Sequence, residues 1–345
     1  MTQRELAPLR RRYDVDELVS HARQGQARAV ARLISLVEDG APELRALAAA
    51  LARDTGRADV IGVTGAPGVG KSSTVGVLVT ALRAVGKTVG VLAVDPSSPF
   101  SGGALLGDRV RMQEHATDSG VFIRSMATRG HLGGLAAATP QALRVLDAAG
   151  CDVVLVETVG VGQAEVDVVA VADTTVVLLA PGMGDGIQAV KAGILEVADV
   201  FVVNKADREG ADQTVQDLKY MISLGRRGVA GPSWRTPIVR TVATRAEGVA
   251  ELLGAIKEHR GWMRGHGELE ARRQRRAEAE VEAIALAQLR AKLGDLRRDS
   301  NTFGALQGLA KRVVLGELDV YRAAAELIAE LGGSSRPANQ GVGRP

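Results

Sequence analysis

Seven short apolar runs, each followed by a stretch of helical or turn character, limit what this chain can become more than any other feature. Val60–Thr64, Val89–Val94, Val121–Ile123, Val153–Glu157, Thr175–Ala180, Val200–Asn204 and Ile238–Val242 are rich in Val and Ile and apolar at nearly every position. Strands of that kind are buried on both faces, which requires a mainly parallel sheet with helices on either side. The expected fold is therefore α/β, with a mainly parallel seven-stranded domain over residues 58–262.

The flanks read as helical. In residues 1–57, Leu18, Val19 and Ala22, then Val30, Leu33, Ile34 and Val37, recur at three- and four-residue spacing, which predicts amphipathic helices packed on the main domain. Gly40-Ala41-Pro42 interrupts them, with Pro42 placed for a helix start. Residues 263–331 contain no strand pattern. Arg264–Leu296 reads as one long charged helix and Val313–Leu331 as another. A helical arm with few core partners predicts an oligomer contact. The run Arg272, Arg273, Arg275 and Arg276 lies close to Glu278, Glu280 and Glu282 and reads as a solvated helix face. Residues 332–345, rich in Gly, Ser and Pro, are expected to be disordered.

Composition excludes several classes of function. Lys plus Arg is 43 against 40 Asp plus Glu, and aromatics make up 3% of the chain. A nearly balanced charge and few stacking rings argue against a nucleic-acid partner. Cys151 is the one cysteine in the sequence, which leaves no internal disulfide and no cysteine-rich metal site. The longest apolar stretch, Val168–Ala180, is broken by Asp173 and two threonines, so no membrane span is expected. The basic segment before Tyr13 has no apolar core behind it and does not resemble a secretory signal, so a cytoplasmic location is expected.

Gly65-Ala66-Pro67-Gly68-Val69-Gly70-Lys71-Ser72, followed by Ser73, matches the P-loop pattern between an apolar strand and an amphipathic helix. Glycines there let backbone N–H groups converge on phosphate oxygens, and the helix N-terminus adds positive potential. Lys71 is expected on the β- and γ-phosphates and Ser72 on Mg²⁺. Asp95 ends the second apolar run, Asp108 lies in the loop beyond it, and Glu157 ends the fourth run. Carboxylates at the carboxyl ends of parallel strands face the ligand crevice, which makes these three candidates for the metal shell. Lys71, Asp108 and Glu157 are the catalytic candidates. Glu157, Gln163 and Asp108 all remain possible for orienting the attacking water.

Asn204-Lys205-Ala206-Asp207 places Asn-Lys-x-Asp at a strand end. A carboxylate at Asp207 accepts from guanine N1–H and the 2-amino group, neither of which adenine offers in that arrangement. A site built for those donors rejects the wrong base by leaving a buried acceptor unpaired. The Lys205 stem is expected over the purine, with Asn204 holding neighbouring loops. Val242-Ala243-Thr244, a looser match, is where a backbone N–H meets the guanine carbonyl oxygen. The combination points to a Mg²⁺-dependent P-loop GTPase with GTP and GDP as its ligands. Segments 96–109 and 158–165 have the glycines and position of nucleotide-sensing switches.

Longer runs narrow this further. The stretch from Asp95-Pro96-Ser97-Ser98 through Leu106-Gly107-Asp108-Arg109-Val110-Arg111-Met112 resembles the first switch of the MeaB/ArgK GTPases. Arg129-Gly130-His131-Leu132-Gly133-Gly134-Leu135, Glu157-Thr158-Val159-Gly160-Val161-Gly162-Gln163 and the segment from Pro181-Gly182-Met183-Gly184-Asp185 through Lys191-Ala192-Gly193-Ile194 resemble that family too. The resemblance extends from about Val15 into the C-terminal arm. It implies a homodimeric GTPase of the SIMIBI class, joined through that arm, which serves methylmalonyl-CoA mutase. It implies that Asp95, Asp108 and Glu157 serve metal and catalysis. It further implies that Gln163, Asp185 and Lys191 couple nucleotide state to the mutase. On this reading GTP gates adenosylcobalamin delivery and protects or reactivates the mutase, with no cobalamin site in this chain. The rival reading is a GTPase for nickel-enzyme maturation or for another cobalamin enzyme. The nickel case would need soft or imidazole ligands near the switches, and the sequence has no histidine cluster there.

Overall fold

The computed structural model describes residues 14–95, 114–115, 117–127, 138–158, 168–182, 197–225, 233–296 and 300–333. All seven apolar runs are strands. They are β1 (Asp59–Gly65), β2 (Val89–Asp95), β3 (Val121–Ala127), β4 (Val153–Glu157), β5 (Thr174–Leu179), β6 (Val200–Asn204) and β7 (Ile238–Thr241). They form one sheet in the order β3-β2-β4-β1-β5-β6-β7, with every pairing parallel. Every residue of β4, β5 and β6 is buried, as continuous apolar runs require. β1 sits at the centre between β4 and β5, where the chain changes the direction in which it adds strands. The crevice at the carboxyl end of such a switch point is where open α/β sheets take their ligands.

Three helices precede the sheet: α1 (Val15–Arg23), α2 (Ala27–Glu38) and α3 (Leu44–Leu51). The Asp14 side chain caps α1 by accepting from the backbone N–H of Asp16 and Glu17. Val19, Val30, Leu33, Ile34, Leu47 and Leu51 share one core with Leu92 of β2, Phe122 and Met126 of β3, and Ala142, Val145 and Leu146 of α5 (Thr139–Ala148). The same contact is tied by Arg124 of β3, which donates to Glu38 (Nε to Oε2, 3.0 Å) and to the Ser35 hydroxyl (3.0 Å). The N-terminal helices are thus packing elements on one flank of the sheet. On the other face, α4 (Lys71–Ala84) and α7 (Val249–Gly265) bury Val75, Leu78, Val79, Leu252 and Ile256 against β1, β4, β5 and β6. Between them in sequence, α6 (Ala211–Gly225) covers β6 through Val215 and Leu218.

The C-terminal helices depart from the sequence reading in two places. Gly267, at φ 70°, ends α7, and α8 (Glu268–Leu296) starts anew rather than continuing from Arg264. Further on, α9 (Ser300–Val314) and α10 (Val320–Gly333) are separated by a turn at Gly316, φ 74°, where a single helix from Val313 was expected. Among the described residues, no helix is long and apolar enough to cross a membrane.

The arginine run at the start of α8 is not a solvated face. Arg272 grips Asp199 (Nη1–Oδ2 2.7 Å, Nη2–Oδ1 3.1 Å), while Arg273 and Arg276 both hold Asp173 (2.7 Å and 2.5 Å). Arg273 also donates to the carbonyls of Gly56 and Ala58, and Arg276 to that of Val171. Asp173 and Asp199 are buried one residue ahead of β5 and β6. Burial pushes the Asp173 carboxyl up, but the Arg273 hydrogen bond and the Arg276 and Arg273 charges outweigh it and hold the group below the usual carboxylate range. Asp199 is held low in the same way, against burial, by His259 and Arg272. Only Arg275 of the run points away from these acids, to Glu268.

The described residues fall into two units, one ending at Arg276 and one beginning at Ala277. Within the second, Arg312 of α9 pairs with Glu326 of α10 at 2.8 Å. Val281, Ile284, Leu286 and Leu289 of α8 are exposed, as are Val314, Leu315, Val320, Tyr321 and Ile328.

Candidate functional site

The P-loop leaves the end of β1 and enters α4 at Lys71. Two of its glycines are required by space as well as by conformation. Gly65 has φ 140°, and a Cβ there would lie 2.3 Å from the Leu178 carbonyl oxygen. Gly70 has φ 98°, and a Cβ would lie 2.3 Å from Asn204 Nδ2. No other residue type fits either position without displacing backbone or the side chain that braces the loop. Pro67 and Gly68 stand exposed at the tip, and Ala66 is half-buried below them. Val69 is buried in the core beneath.

Lys71 is buried, and its Nζ donates to the carbonyls of Gly65 (2.8 Å) and Ala66 (3.1 Å). The ammonium therefore sits against the loop's own backbone, at the first turn of α4. Ser72, also buried, donates from Oγ to Glu157 Oε1 at 2.6 Å. That contact joins the start of α4 to the carboxyl end of β4, and it is reinforced next door by a Thr158-to-Thr64 hydroxyl bond of 2.9 Å. Ser73 faces outward. A hydroxyl and a carboxylate are hard oxygen donors, the set that Mg²⁺ takes beside phosphate, so these two side chains fit that ion. The backbone of Asp95 closes β2 opposite Ala127, on the same edge of the sheet as Glu157. Among the described residues no group of three or more His, Cys, Asp or Glu side chains gathers as a ready-made metal cluster. Asp108, Gln163, Asp185 and Lys191 lie outside the described residues, as do segments 96–113, 159–167 and 183–196 that carry the switch expectations and residues 334–345 of the expected tail.

Asn204 is the brace between the two halves of the site. Its Nδ2 donates to the Val69 carbonyl (2.8 Å), and its Oδ1 accepts from the Thr241 hydroxyl (3.1 Å) and the Ala243 N–H (3.1 Å). One buried amide thus fixes the P-loop, the end of β6 and the loop after β7 together. Lys205 follows in the left-handed region, φ 57°, and its Nζ donates to the Gly68 carbonyl at 2.6 Å, so the stem runs from β6 to the tip of the P-loop. Ala206 N–H donates to the Thr241 carbonyl at 3.1 Å. Asp207 then stands half-exposed beside Arg245, with Oδ2 3.3 Å from Nη2. Val242 and Ala243 are buried and Thr244 is exposed, in a short 3-10 turn after β7 that a Val242–Glu247 bridge closes.

The structure therefore brings together Gly65 to Ser73, Glu157, Asn204 to Asp207 and Val242 to Thr244 at one end of the sheet. Sequence reasoning missed Arg245, Thr241 and the Thr64–Thr158 pair. Arg245 had a signal only in its position, directly after the loosely matching Val242-Ala243-Thr244.

A phosphate loop on the central strand and an Asn-Lys-x-Asp segment two strands away, cross-braced by one asparagine, define a P-loop GTPase fold. The comparisons agree with it. Residues 30–296 match the family described as Methylmalonyl Co-A mutase-associated GTPase MeaB, and the chain belongs to that family. A Pyrococcus abyssi chain named as a candidate GTPase is 48% identical over 318 residues, 92% of this chain and 97% of that one. The mitochondrial methylmalonic aciduria type A homolog of Mus musculus is 36% identical over 277 residues, 75% of this chain and 66% of that one. Among solved structures, an LAO/AO transport system kinase superposes with a TM-score of 0.66 at 26% identity, covering 92% of this chain and 97% of that one.

Proposed function

We propose that this chain hydrolyses GTP to GDP and phosphate and uses that cycle to serve methylmalonyl-CoA mutase. The observation that carries the first half is the Asn204 brace, because it holds the phosphate loop and the purine segment at a fixed separation. The amides of Gly65–Ser72 and the α4 N-terminus receive the phosphates, and Lys71 neutralises charge as it develops on the β- and γ-oxygens. Ser72 and Glu157 would hold Mg²⁺, with Asp95 and Asp108 as candidate further carboxylates; when bound, the ion would supply neutralisation of the phosphate charge. Asp207 takes the guanine edge, Lys205 lies along the purine face, and Ala243 or Thr244 offers an N–H to the guanine carbonyl oxygen. Glu157, Asp108 and Gln163 are the groups able to orient the attacking water.

The second half rests on family membership and on the mouse relative's name. In this reading the segments around Asp108, Gln163, Asp185 and Lys191 report nucleotide state to the mutase and gate adenosylcobalamin delivery in the cytoplasm. A dimer forms through the C-terminal helices, whose exposed Val281, Ile284 and Leu289 favour a covered apolar face. The test is to purify the chain with a cobalamin-dependent methylmalonyl-CoA mutase and measure GTP turnover with and without it. Co-purification in a nucleotide-dependent manner, with turnover stimulated by the mutase and the stimulation lost in Lys191→Ala, is the expected result. Absence of both binding and stimulation would contradict the mutase role while leaving GTP hydrolysis to stand on its own measurement.

A further inference from the structure

The base-recognition carboxylate has a partner that the motif does not include. Arg245, on the 3-10 turn after β7, places Nη2 3.3 Å from Asp207 Oδ2 and Nε 3.1 Å from Glu247 Oε1. The guanidinium therefore spans two acids from different elements. Asp207 comes from the loop after β6, while Glu247 comes from the turn that a bridge to Val242 closes. That turn is stiff. Ala246 sits in the left-handed region at φ 53°, and Gly248 at φ 76° has no room for a Cβ, which would lie 2.0 Å from the Arg240 carbonyl oxygen. The base of Arg245 is therefore fixed, although its side chain is half-exposed.

We infer that Arg245 is a positioning residue for guanine recognition, which orients the Asp207 carboxylate by holding one of its oxygens. The inference rests on the guanine reading of the Asn204–Asp207 segment. An ionised carboxylate has about four acceptor directions, so it accepts from Arg245 and from a base edge together. Guanine presents two parallel donors, N1–H and the 2-amino group, and both bond well only when the two carboxylate oxygens lie in the plane of the base. A carboxylate on a half-exposed loop otherwise rotates freely about its terminal bond. A guanidinium 3.3 Å from Oδ2, with Glu247 paired behind it, restricts that rotation. The property at stake is the use of the 2-amino group rather than overall affinity.

Inosine triphosphate, which lacks the 2-amino group but keeps N1–H, is the probe that isolates this. Affinities for GTP, ITP and ATP are measured with Mg²⁺ by calorimetry for the wild-type chain and for Arg245→Ala, Arg245→Lys and Glu247→Ala. The expected result is a wild-type preference in the order GTP, ITP, ATP. In Arg245→Ala the GTP-to-ITP ratio falls by up to about fivefold, the range of an exposed ion pair, while ATP stays rejected. Arg245→Lys recovers part of the ratio, and Glu247→Ala lowers it less than Arg245→Ala. An unchanged GTP-to-ITP ratio in Arg245→Ala, or an equal loss of affinity for all three nucleotides, would overturn the assignment of Arg245 while the guanine site stands. A wild-type chain that binds ATP as well as GTP would instead remove the guanine reading on which the inference rests.

Discussion

At the scale of single residues, the site depends on where a side chain is forbidden as much as on where one is present. Gly70 and Gly68 both lie at positive φ, 98° and 77°, yet only at Gly70 would a Cβ strike a neighbour, Asn204 Nδ2 at 2.3 Å. Gly68→Ala should therefore cost only the backbone penalty of about 1–2 kcal/mol. Gly70→Ala should cost more and also break the Asn204 brace; thermal unfolding of the two variants checks the order, and equal losses would contradict the geometry. Asp207→Asn tests the acceptor. Its carboxylate becomes half donor, so GTP preference should fall, by as much as about 10⁴-fold if the edge is fully desolvated, and xanthine nucleotide should gain. Competition binding with both nucleotides measures it, and retained GTP selectivity would count against the role. These residues were legible in the sequence because phosphate and guanine chemistry fix residue types at fixed spacing. Arg245 was not. It reaches Asp207 through the adjacency of β6 and β7, and no spacing within one segment reports which loops a sheet sets side by side.

At the scale of elements, the sheet was readable and the entry into the C-terminal helices was not. Continuous apolar runs such as Val153–Glu157 and Val200–Asn204 have one physical use, a strand covered on both faces, and both are fully buried. A charged helix gives no such signal. Arg272, Arg273 and Arg276 with glutamates nearby look alike whether they face water or grip Asp173 and Asp199, which lie far upstream at the heads of β5 and β6. The break at Gly267 did have a signal, the Gly265-His266-Gly267 pair of glycines, which a single helix from Arg264 passes over. The latch makes a prediction. Asp173→Ala leaves Arg273 and Arg276 without their shared acid, and breaking a buried pair of this kind costs about 3–5 kcal/mol. Because the folded carboxyl of Asp173 lies below its ordinary value of 3.8, its stabilisation is complete above that pH and is lost as pH falls through the lower, folded value. Denaturant unfolding of wild type and Asp173→Ala should differ by a constant amount above about pH 4 and converge only as the pH falls further, through the lower folded value. A difference independent of pH down to full protonation would show that the arginines act by packing alone.

At the scale of the whole molecule, the sheet acts as a ruler. β1 delivers the P-loop, β4 delivers Glu157, and β6 and β7 deliver Asn204–Asp207 and Val242–Thr244, all at their carboxyl ends. The N-terminal helices pack on one flank through Leu33 and Ile34 against Phe122, and Arg272, Arg273 and Arg276 grip acids at the amino-terminal end of the strands. The proposed mutase role requires that this frame bind one nucleotide in one way. Isothermal titration of the purified chain with GTP, with and without Mg²⁺, and then with ATP, tests that most directly. A saturable heat with GTP that is strengthened by Mg²⁺ and absent with ATP is the predicted result. Equal binding of the two nucleotides, or GTP binding indifferent to the metal, would contradict it.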